Sequence, residues 1–343
     1  MKRVIIDRHH ADLFYGLQRL FEDRLGYLLY TPVGHEWWDE GYWRFGEGYG
    51  DDRLARQFLS PAGWEAPESE YLSRVYRAVD DHHPGRTVFG VGLATVRSTP
   101  HEWAYVVATV QDNQAGFARL ARELGTRYVY HVGNTRQEVD WSLDPLVLNA
   151  SEAPLVGRGV DIGQEFDHLT TFRYREPETV RRVTSFVNLL PLIEDSAGVR
   201  VSWLPFVGLR ERLPGWDFRS FGHDCPDGFR KPVDALADEM AAAGFAYHDK
   251  PTGDGFGHVV HNWAAVGRPL IGHARYYAGQ RAAPLWRDGE TCIDLDRHDL
   301  DEAAAILREM TPPRHRAMCR AIRETFDAIY DPAADAEAVR GLL

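Results

Sequence analysis

The residues best suited to chemistry lie in the stretch 248–269. The pattern predicts a strand ending at Lys250, a glycine-rich turn, and a helix that begins near Phe256. Three glycines occupy alternate positions of this turn: Gly253, Gly255 and Gly257. Glycines let a backbone approach a ligand closely, and the first turn of a helix offers N–H groups to a phosphate. The stretch therefore predicts a site for a phosphorylated ligand.

The predicted helix has two different sides. Its apolar side consists of Val259, Val260, Trp263, Ala264 and Gly267. Its other side is polar or small and consists of His258, His261, Asn262 and Ala265. A helix with this distribution is expected to pack with one side and to line a cleft with the other.

This arrangement resembles the donor-site motif of the retaining GT-B glycosyltransferases, the group 1-like enzymes. In that motif the glycine-rich turn carries one acidic residue, and a second follows after seven intervening positions. Asp254 and Asn262 have this spacing, and 265–269 matches the small-x-Gly-x-Pro exit into the next strand. The resemblance implies that Asp254 holds hydroxyls of the donor sugar and that Asn262 lies near the ribose. Asp stands in place of the first Glu and the uncharged Asn in place of the second, so the usual carboxylate contact with the ribose is in question.

The resemblance extends over about 183–310 and implies a donor site with further members. Gly255, Phe256 and Gly257 match the turn, and His258 follows it on the helix. A leaving nucleoside diphosphate develops negative charge that cations stabilise. Lys250 is the first candidate for this cation, and Lys231 and Arg268 are the second choices. The implied co-substrate is a UDP- or GDP-sugar, and no metal or other cofactor is implied.

The fold class predicted for the chain is α/β: a GT-B fold with two doubly wound Rossmann-like domains facing across a cleft. Both halves of the chain alternate strand and helix patterns, which indicates parallel sheets. The predicted segments include helices at 11–25, 113–124, 194–213, 256–266 and 314–330. We predict an acceptor domain at 1–170, a nucleotide-sugar domain at 171–312, and a C-terminal helix at 313–343 crossing back to the first domain.

Two loops at predicted strand ends are candidates for the acceptor side. The first follows 4–6 and contains His9 and His10, and the second follows 106–110 and contains Asp112. In related folds a His or Asp in such a loop faces the cleft, so these three are the candidate catalytic residues, with Asp112 favoured if a base is used. The polar stretch 131–134, which ends the next predicted strand, is a further candidate lining.

Each of these residues also has a structural interpretation. Asp254 and Asp112 are both residue types that cap helices, and His9 and His10 can be ordinary turn residues. Lys250 can be an exposed lysine, and a histidine pair at i, i+3 such as His258 and His261 can bind a metal or only make hydrogen bonds. An aromatic cluster can stack on a ligand or form a packed core: Trp37, Trp38, Tyr42 and Trp43.

Composition narrows the function classes. The 343 residues suit two domains, and the three cysteines lie too far apart for a C-x-x-C pair, which favours a reducing cytoplasm over a disulfide framework. No apolar run approaches the ~20 residues needed to span a membrane. The net charge of -12 weighs against a protein whose whole surface follows nucleic acid, although one local basic cleft stays compatible with it.

The sequence does not identify the acceptor. The first loop and the turn at 253–258 are similar to those of glycosyltransferase-like proteins of bacteriophages, which implies DNA modification at a hydroxymethylated base as one candidate. Polysaccharide, lipid or small-molecule acceptors are the alternatives. A sugar-nucleotide epimerase and a non-catalytic binding protein of the same fold are rival functions.

Overall fold

The computed structural model describes residues 2–7, 11–34, 36–43, 89–133, 137–151, 155–166, 170–230, 233–251 and 257–343. They form two compact units. Unit 1 contains Met1–Ser151, Leu155–Phe166 and Pro332–Leu343, and unit 2 is built mainly from Asp167–Asp331. In the described ranges, no helix is both long enough and apolar enough to cross a membrane.

Unit 1 contains a parallel seven-stranded sheet with the order β3-β2-β1-β4-β5-β6-β7. Its strands are β1 (Arg3–Ile6), β2 (Leu28–Pro32), β3 (Phe89–Val91), β4 (Trp103–Ala108), β5 (Arg127–Val132), β6 (Leu146–Asn149) and β7 (Gly159–Asp161). The strand order reverses between β1 and β4, so the ligand-binding crevice of a doubly wound sheet is expected at the carboxyl ends of these two strands.

The helices of unit 1 begin with α1 (Ala11–Gln18), which continues as a π-helical segment, Arg19–Arg24. They continue with α2 (Glu36–Asp39), α3 (Leu93–Ser98) and α4 (Gln114–Leu124). Gly125 ends α4 in the left-handed conformation, at the position where the sequence predicts the helix to stop. Arg19 and Arg24 both pair with the buried Glu165 and so tie the π-helical segment to the residues that follow β7.

Unit 2 contains a parallel five-stranded sheet with the order β12-β11-β10-β8-β9. Its strands are β8 (Arg182–Ser185), β9 (Asp217–Ser220), β10 (Phe245–Tyr247), β11 (Leu270–Gly272) and β12 (Cys292–Asp294). Its helices are α5 (Trp203–Arg212), α6 (Val233–Ala242), α7 (His258–Ala265), α8 (Leu300–Arg308) and α9 (Pro312–Ile329). Here the order reverses between β8 and β10, whose carboxyl ends are the expected binding edge.

The predicted helix at 194–213 is wrong in its first half, because α5 begins only at Trp203. The preceding residues form a turn in which the Asp195 carboxylate accepts hydrogen bonds from the N–H groups of Ala197 and Val199. Such local side-chain to backbone bonds compete with helix formation. Gly198, at φ 75°, closes the same turn.

The C-terminal segment contains two helices. The predicted helix at 314–330 is observed as α9, which lies in unit 2 and packs along α7. A second helix, α10 (Pro332–Leu342), belongs to unit 1 and packs on β7 and on the π-helical segment. Asp331-Pro332 separates the two, as expected because proline cannot continue the hydrogen bonding of a preceding helix.

The aromatic cluster of the N-terminal half is part of the core of unit 1. Trp37, Tyr42 and Trp43 are buried in the same cluster as the strand residues, while Trp38 is 44% exposed. The indole N–H of Trp37 donates to the carbonyl oxygen of Val91 at 3.0 Å. The packed-core interpretation of this cluster therefore holds for three of its four members.

Gly267 follows α7 in a conformation and a space that favour glycine over any other residue. It has φ 74°, and an added Cβ would lie 2.5 Å from the Tyr174 ring and 3.0 Å from the carbonyl oxygen of Cys319. We expect Gly267→Ala to lower the free energy of unfolding by about 2–4 kcal/mol, because a positive φ and a steric clash add together. Urea titration of the intrinsic fluorescence measures this change.

Gly279→Ala is the matched control, since Gly279 has a similar φ of 79° but open space where the Cβ would lie. It is expected to cost only about 1–2 kcal/mol. Equal losses for the two variants would show that the contact with Tyr174 and Cys319 contributes nothing.

Candidate functional site

The binding edge of unit 2 starts at the end of β10. His248 and Asp249 follow the strand and are buried, and the half-buried Lys250 comes next. The strand ends at Tyr247, three residues before the predicted end at Lys250, but Lys250 still lies just beyond the strand beside which the strand order reverses. Polar side chains at that edge are where a doubly wound sheet binds its ligand.

Asp249 carries a carboxyl group that is 0% exposed. Its Oδ2 lies 3.3 Å from the Tyr247 hydroxyl oxygen, which itself lies 2.7 Å from the carbonyl oxygen of Ser202. A tyrosine has a single hydroxyl proton, and the shorter distance favours its donation to Ser202. When Asp249 is protonated, its own hydroxyl can donate to the Tyr247 oxygen. Burial raises the pKa of Asp249 to about 7, although a bond from Tyr247 and the charge of Arg275 oppose the rise, so the neutral acid predominates below that pH.

The described residues resume at Gly257, which is half-buried and has φ 50°. This left-handed conformation is one that glycine adopts without cost, so the local geometry requires the glycine that the motif supplies. α7 begins at the next residue, the half-buried His258. Gly257 and His258 are thus partly accessible at the start of a helix, where an anion is favoured by the backbone N–H groups and by the helix dipole.

The expectation that α7 presents an open polar side is wrong. His261 and Asn262 are only 1% and 2% exposed, because α9 packs along the helix. The His261 ring meets Phe326 edge-on, and its Nδ1 lies 3.1 Å from the carbonyl oxygen of Gly257, to which it can only donate. Asn262 Oδ1 is buried without a hydrogen bond to any described residue, so it retains an acceptor for a hydroxyl.

Arg268 does not face a ligand. Its side chain is 0% exposed, and its guanidinium donates to four backbone carbonyl oxygens at 2.6–3.1 Å: those of Arg175, Ala241, Val266 and Gly267. Burial lowers the pKa of this group. Arg268 joins the segments around the exit of α7, and its predicted role at the donor phosphates is replaced by a structural one.

The remaining predicted donor residues lie outside the described residues. They are Lys231, Gly253, Asp254, Gly255 and Phe256. His9 and His10 of the acceptor side also lie outside them. Their roles stay predictions from the sequence.

The binding edge of unit 1 contains a carboxylate at the end of β1. Asp7 is 0% exposed, and its Oδ1 accepts from the Thr109 N–H at 2.6 Å and from the Thr109 hydroxyl at 2.7 Å. Its Oδ2 accepts from the Val110 N–H at 3.2 Å and from Asn113 Nδ2 at 2.8 Å. Burial raises the pKa of Asp7 to about 6 in spite of these bonds. The ends of β1 and β4, between which the strand order reverses, are therefore joined through one side chain.

Asp112 lies in the turn that Asp7 holds. The turn is a short 3₁₀ segment, Gln111–Asn113, and Asp112 is exposed on it. The residue at the N-cap of α4 is Asn113, so the alternative interpretation of Asp112 as that cap is not supported. Next to this turn, Gln137 accepts from the Gly133 N–H and donates to the carbonyl oxygen of Thr109, each at 2.6 Å, which adds the end of β5 to the same cluster.

Sequence reasoning missed Asp7, Gln137 and Asp249 as members of these two edges. The available signal for Asp7 and Asp249 was an acidic residue directly after a run of buried strand residues, a position where an uncompensated charge is costly. Gln137 had no such signal, because it lies beyond the strand end and reaches back to it.

Comparison with known proteins gives the fold a name. No protein-family model matches the sequence, and no curated protein matches it. Among solved structures, HepE of Anabaena in complex with UDP is similar with a TM-score of 0.63 and 14% identity, covering 99% of each chain. A glycosyltransferase of Rickettsia africae has a TM-score of 0.59 at 8% identity, covering 99% of this chain and 97% of that one. Sucrose-phosphate synthase of Thermosynechococcus elongatus has a TM-score of 0.58 at 12% identity, covering 100% of this chain and 98% of that one.

The chain has the α/β GT-B fold that the sequence predicts, with two Rossmann-like domains that each contain a parallel, doubly wound sheet. At these identities the similarity establishes the fold, and function has to be argued from the two binding edges themselves.

Proposed function

We propose that the protein is a cytoplasmic glycosyltransferase that moves a sugar from a nucleoside-diphosphate sugar to a hydroxyl acceptor. The observation that carries the proposal is the edge of unit 2: Lys250 follows β10 beside the reversal of the strand order, and the left-handed Gly257 begins α7, the helix between β10 and β11. A cation and a helix N-terminus in this position suit a diphosphate.

The donor we favour is a UDP-sugar. HepE, which shares the fold, has been solved with UDP and with UDP-glucose. In this chain Lys250 and the first turn of α7 would bind the diphosphate and Asp254 the sugar hydroxyls, whereas the burial of Asn262 speaks against its predicted contact with the ribose. A neutral Asp249 would keep a negative charge away from the same edge.

Lys250→Ala is expected to weaken UDP binding by about 10- to 100-fold, because a hydrogen bond to a charged group contributes about 1.5–3 kcal/mol. The measurement is a thermal-shift and calorimetric panel with UDP, GDP, UDP-glucose and GDP-mannose, since a ligand of the folded state raises Tm by mass action. Lys2→Ala is the matched control, because Lys2 is an exposed lysine of unit 1.

Two outcomes of this panel would refute the donor site. One is a parent protein whose Tm responds to no nucleotide. The other is a pair of variants, Lys250→Ala and Asp254→Ala, that bind UDP as tightly as the parent does. Donor turnover without any added acceptor and without sugar release would instead support the epimerase, and binding without turnover a non-catalytic protein.

We propose a hydroxymethylated DNA base as the first acceptor to test, on the strength of the phage-like loops in the sequence. The assay follows transfer of labelled sugar to DNA containing hydroxymethylcytosine, with unmodified DNA as control. Because phosphate contacts release counterions, DNA-dependent transfer should fall steeply between 50 and 200 mM salt. Labelling of a polysaccharide, lipid or small-molecule acceptor in place of DNA would exclude this part of the proposal.

A further inference from the structure

Asp7 is a buried carboxylate at the binding edge of unit 1, the edge predicted to bind the acceptor. Both of its oxygens are used, by four hydrogen bonds from Thr109, Val110 and Asn113. These three residues flank Asp112 on both sides along the chain. Asp7 also immediately precedes the loop that contains His9 and His10. One buried carboxylate thus bonds to one predicted acceptor loop and directly precedes the other in the sequence.

We propose that Asp7 is a positioning residue for the transfer reaction: it holds the Gln111–Asn113 turn against the end of β1 so that the carboxylate of Asp112 points at the acceptor hydroxyl. This inference rests on the proposed function. In the reaction, Asp112 takes the proton of the acceptor hydroxyl and the hydroxyl oxygen bonds to the anomeric carbon. The bond from that carbon to the diphosphate oxygen breaks, and the diphosphate leaves with the electron pair. This single displacement inverts the anomeric carbon, unlike the reaction of the retaining enzymes whose donor motif the sequence resembles.

The chemistry of the hydrogen bonds favours an ionised Asp7 in the working state. All four partners are donors, and a carboxylate accepts from all of them without conflict. Once protonated, one oxygen carries a hydrogen that faces a donor, so at least one of the bonds to the turn is lost. Among the described residues, Tyr128 and Tyr130 of β5 interact electrostatically with Asp7, and burial raises the pKa of both, so they stay neutral. The turn is therefore expected to loosen as the pH falls through about 6.

A double-mutant cycle distinguishes positioning from mere support of the fold. The variants are Asp7→Asn, Asp112→Asn and the pair, and the readouts are kcat and KM for UDP release from UDP-glucose with water as acceptor. Asp7→Asn is expected to lower kcat about tenfold with an unchanged KM for UDP-glucose, since the donor edge lies in the other unit. In the Asp112→Asn background the same change should alter kcat by less than about twofold.

The pH profile of kcat is a second readout, and it would not change if Asp7 only supported the fold. The parent is expected to lose kcat below about pH 6, and Asp7→Asn should lack this acidic limb. Asp335→Asn is the matched control: Asp335 is a buried carboxylate of the same unit that accepts from the Gly163 N–H. It should leave both the profile and the cycle unchanged.

Thr109→Val removes one bond to Asp7 while keeping the shape of the side chain, and it replaces Asp7→Asn in the cycle if that variant fails to fold. A parent that turns over the donor while Asp7→Asn and Thr109→Val act additively with Asp112→Asn overturns this inference alone. A parent that neither binds nor turns over a nucleotide sugar overturns the proposed function, and the role of Asp7 with it.

Discussion

Arg268→Met is expected to lower the free energy of unfolding by about 3–5 kcal/mol. The guanidinium is fully buried and donates to the carbonyl oxygens of Arg175, Ala241, Val266 and Gly267. Methionine fills much of the volume but donates nothing, so these carbonyl groups lose a partner in a place that water does not reach. Each buried polar group left unpaired costs about 1–3 kcal/mol, and breaking a buried charged contact costs about 3–5 kcal/mol in total.

Urea unfolding monitored by tryptophan fluorescence measures this loss. Arg316→Met is the control, because Arg316 is an exposed arginine on α9 of the same unit. Arg268→Lys should be intermediate, since lysine keeps the charge but lacks the fork that reaches several carbonyls at once. The UDP affinity of folded Arg268→Met should equal that of the parent. Parent-like stability together with lost UDP binding would restore the donor role that the sequence suggested.

The contrast between Arg268 and Lys250 shows which site residues can be predicted from the sequence and which cannot. Both are cations beside the glycine-rich segment, and spacing alone assigns both to the diphosphate. Lys250 follows β10 at the binding edge, whereas Arg268 precedes β11 at the opposite end of the neighbouring strand. Strand direction separates them, and it follows from the parallel register of β10 and β11 rather than from residue type.

Local signals account for the elements that were predicted well. Apolar runs mark β1, β4 and β5. Gly125 and Gly267 mark the ends of α4 and α7, because glycine adopts the positive φ found at helix ends without steric cost. β7 and the covered side of α7 are not predictable in this way. β7 has only three residues and exists through pairing with β6, and the burial of His261 depends on α9, whose own sequence begins about fifty residues later.

The pH dependence of stability offers the sharpest test of Asp249. Its pKa is raised by burial from 3.8 to about 7, so the folded protein binds this proton more tightly than the unfolded chain does. The stability that the neutral acid contributes is therefore complete below about pH 3.8, declines as the pH rises, and is lost above about pH 7. The shift corresponds to about 4 kcal/mol.

Asp249→Asn keeps the shape of the side chain, cannot ionise, and can still donate to the Tyr247 hydroxyl. Relative to the parent, the variant should therefore gain about 4 kcal/mol of stability between pH 4 and pH 8, measured by urea titration at half-unit steps. Asp301→Asn is the control with the opposite sign, because the bond from Arg212 lowers the pKa of the exposed Asp301 and its removal should destabilise the protein above about pH 4. A flat difference for Asp249→Asn would mean that Asp249 titrates normally in the fold, and the neutral hydrogen bond to Tyr247 would have to be abandoned.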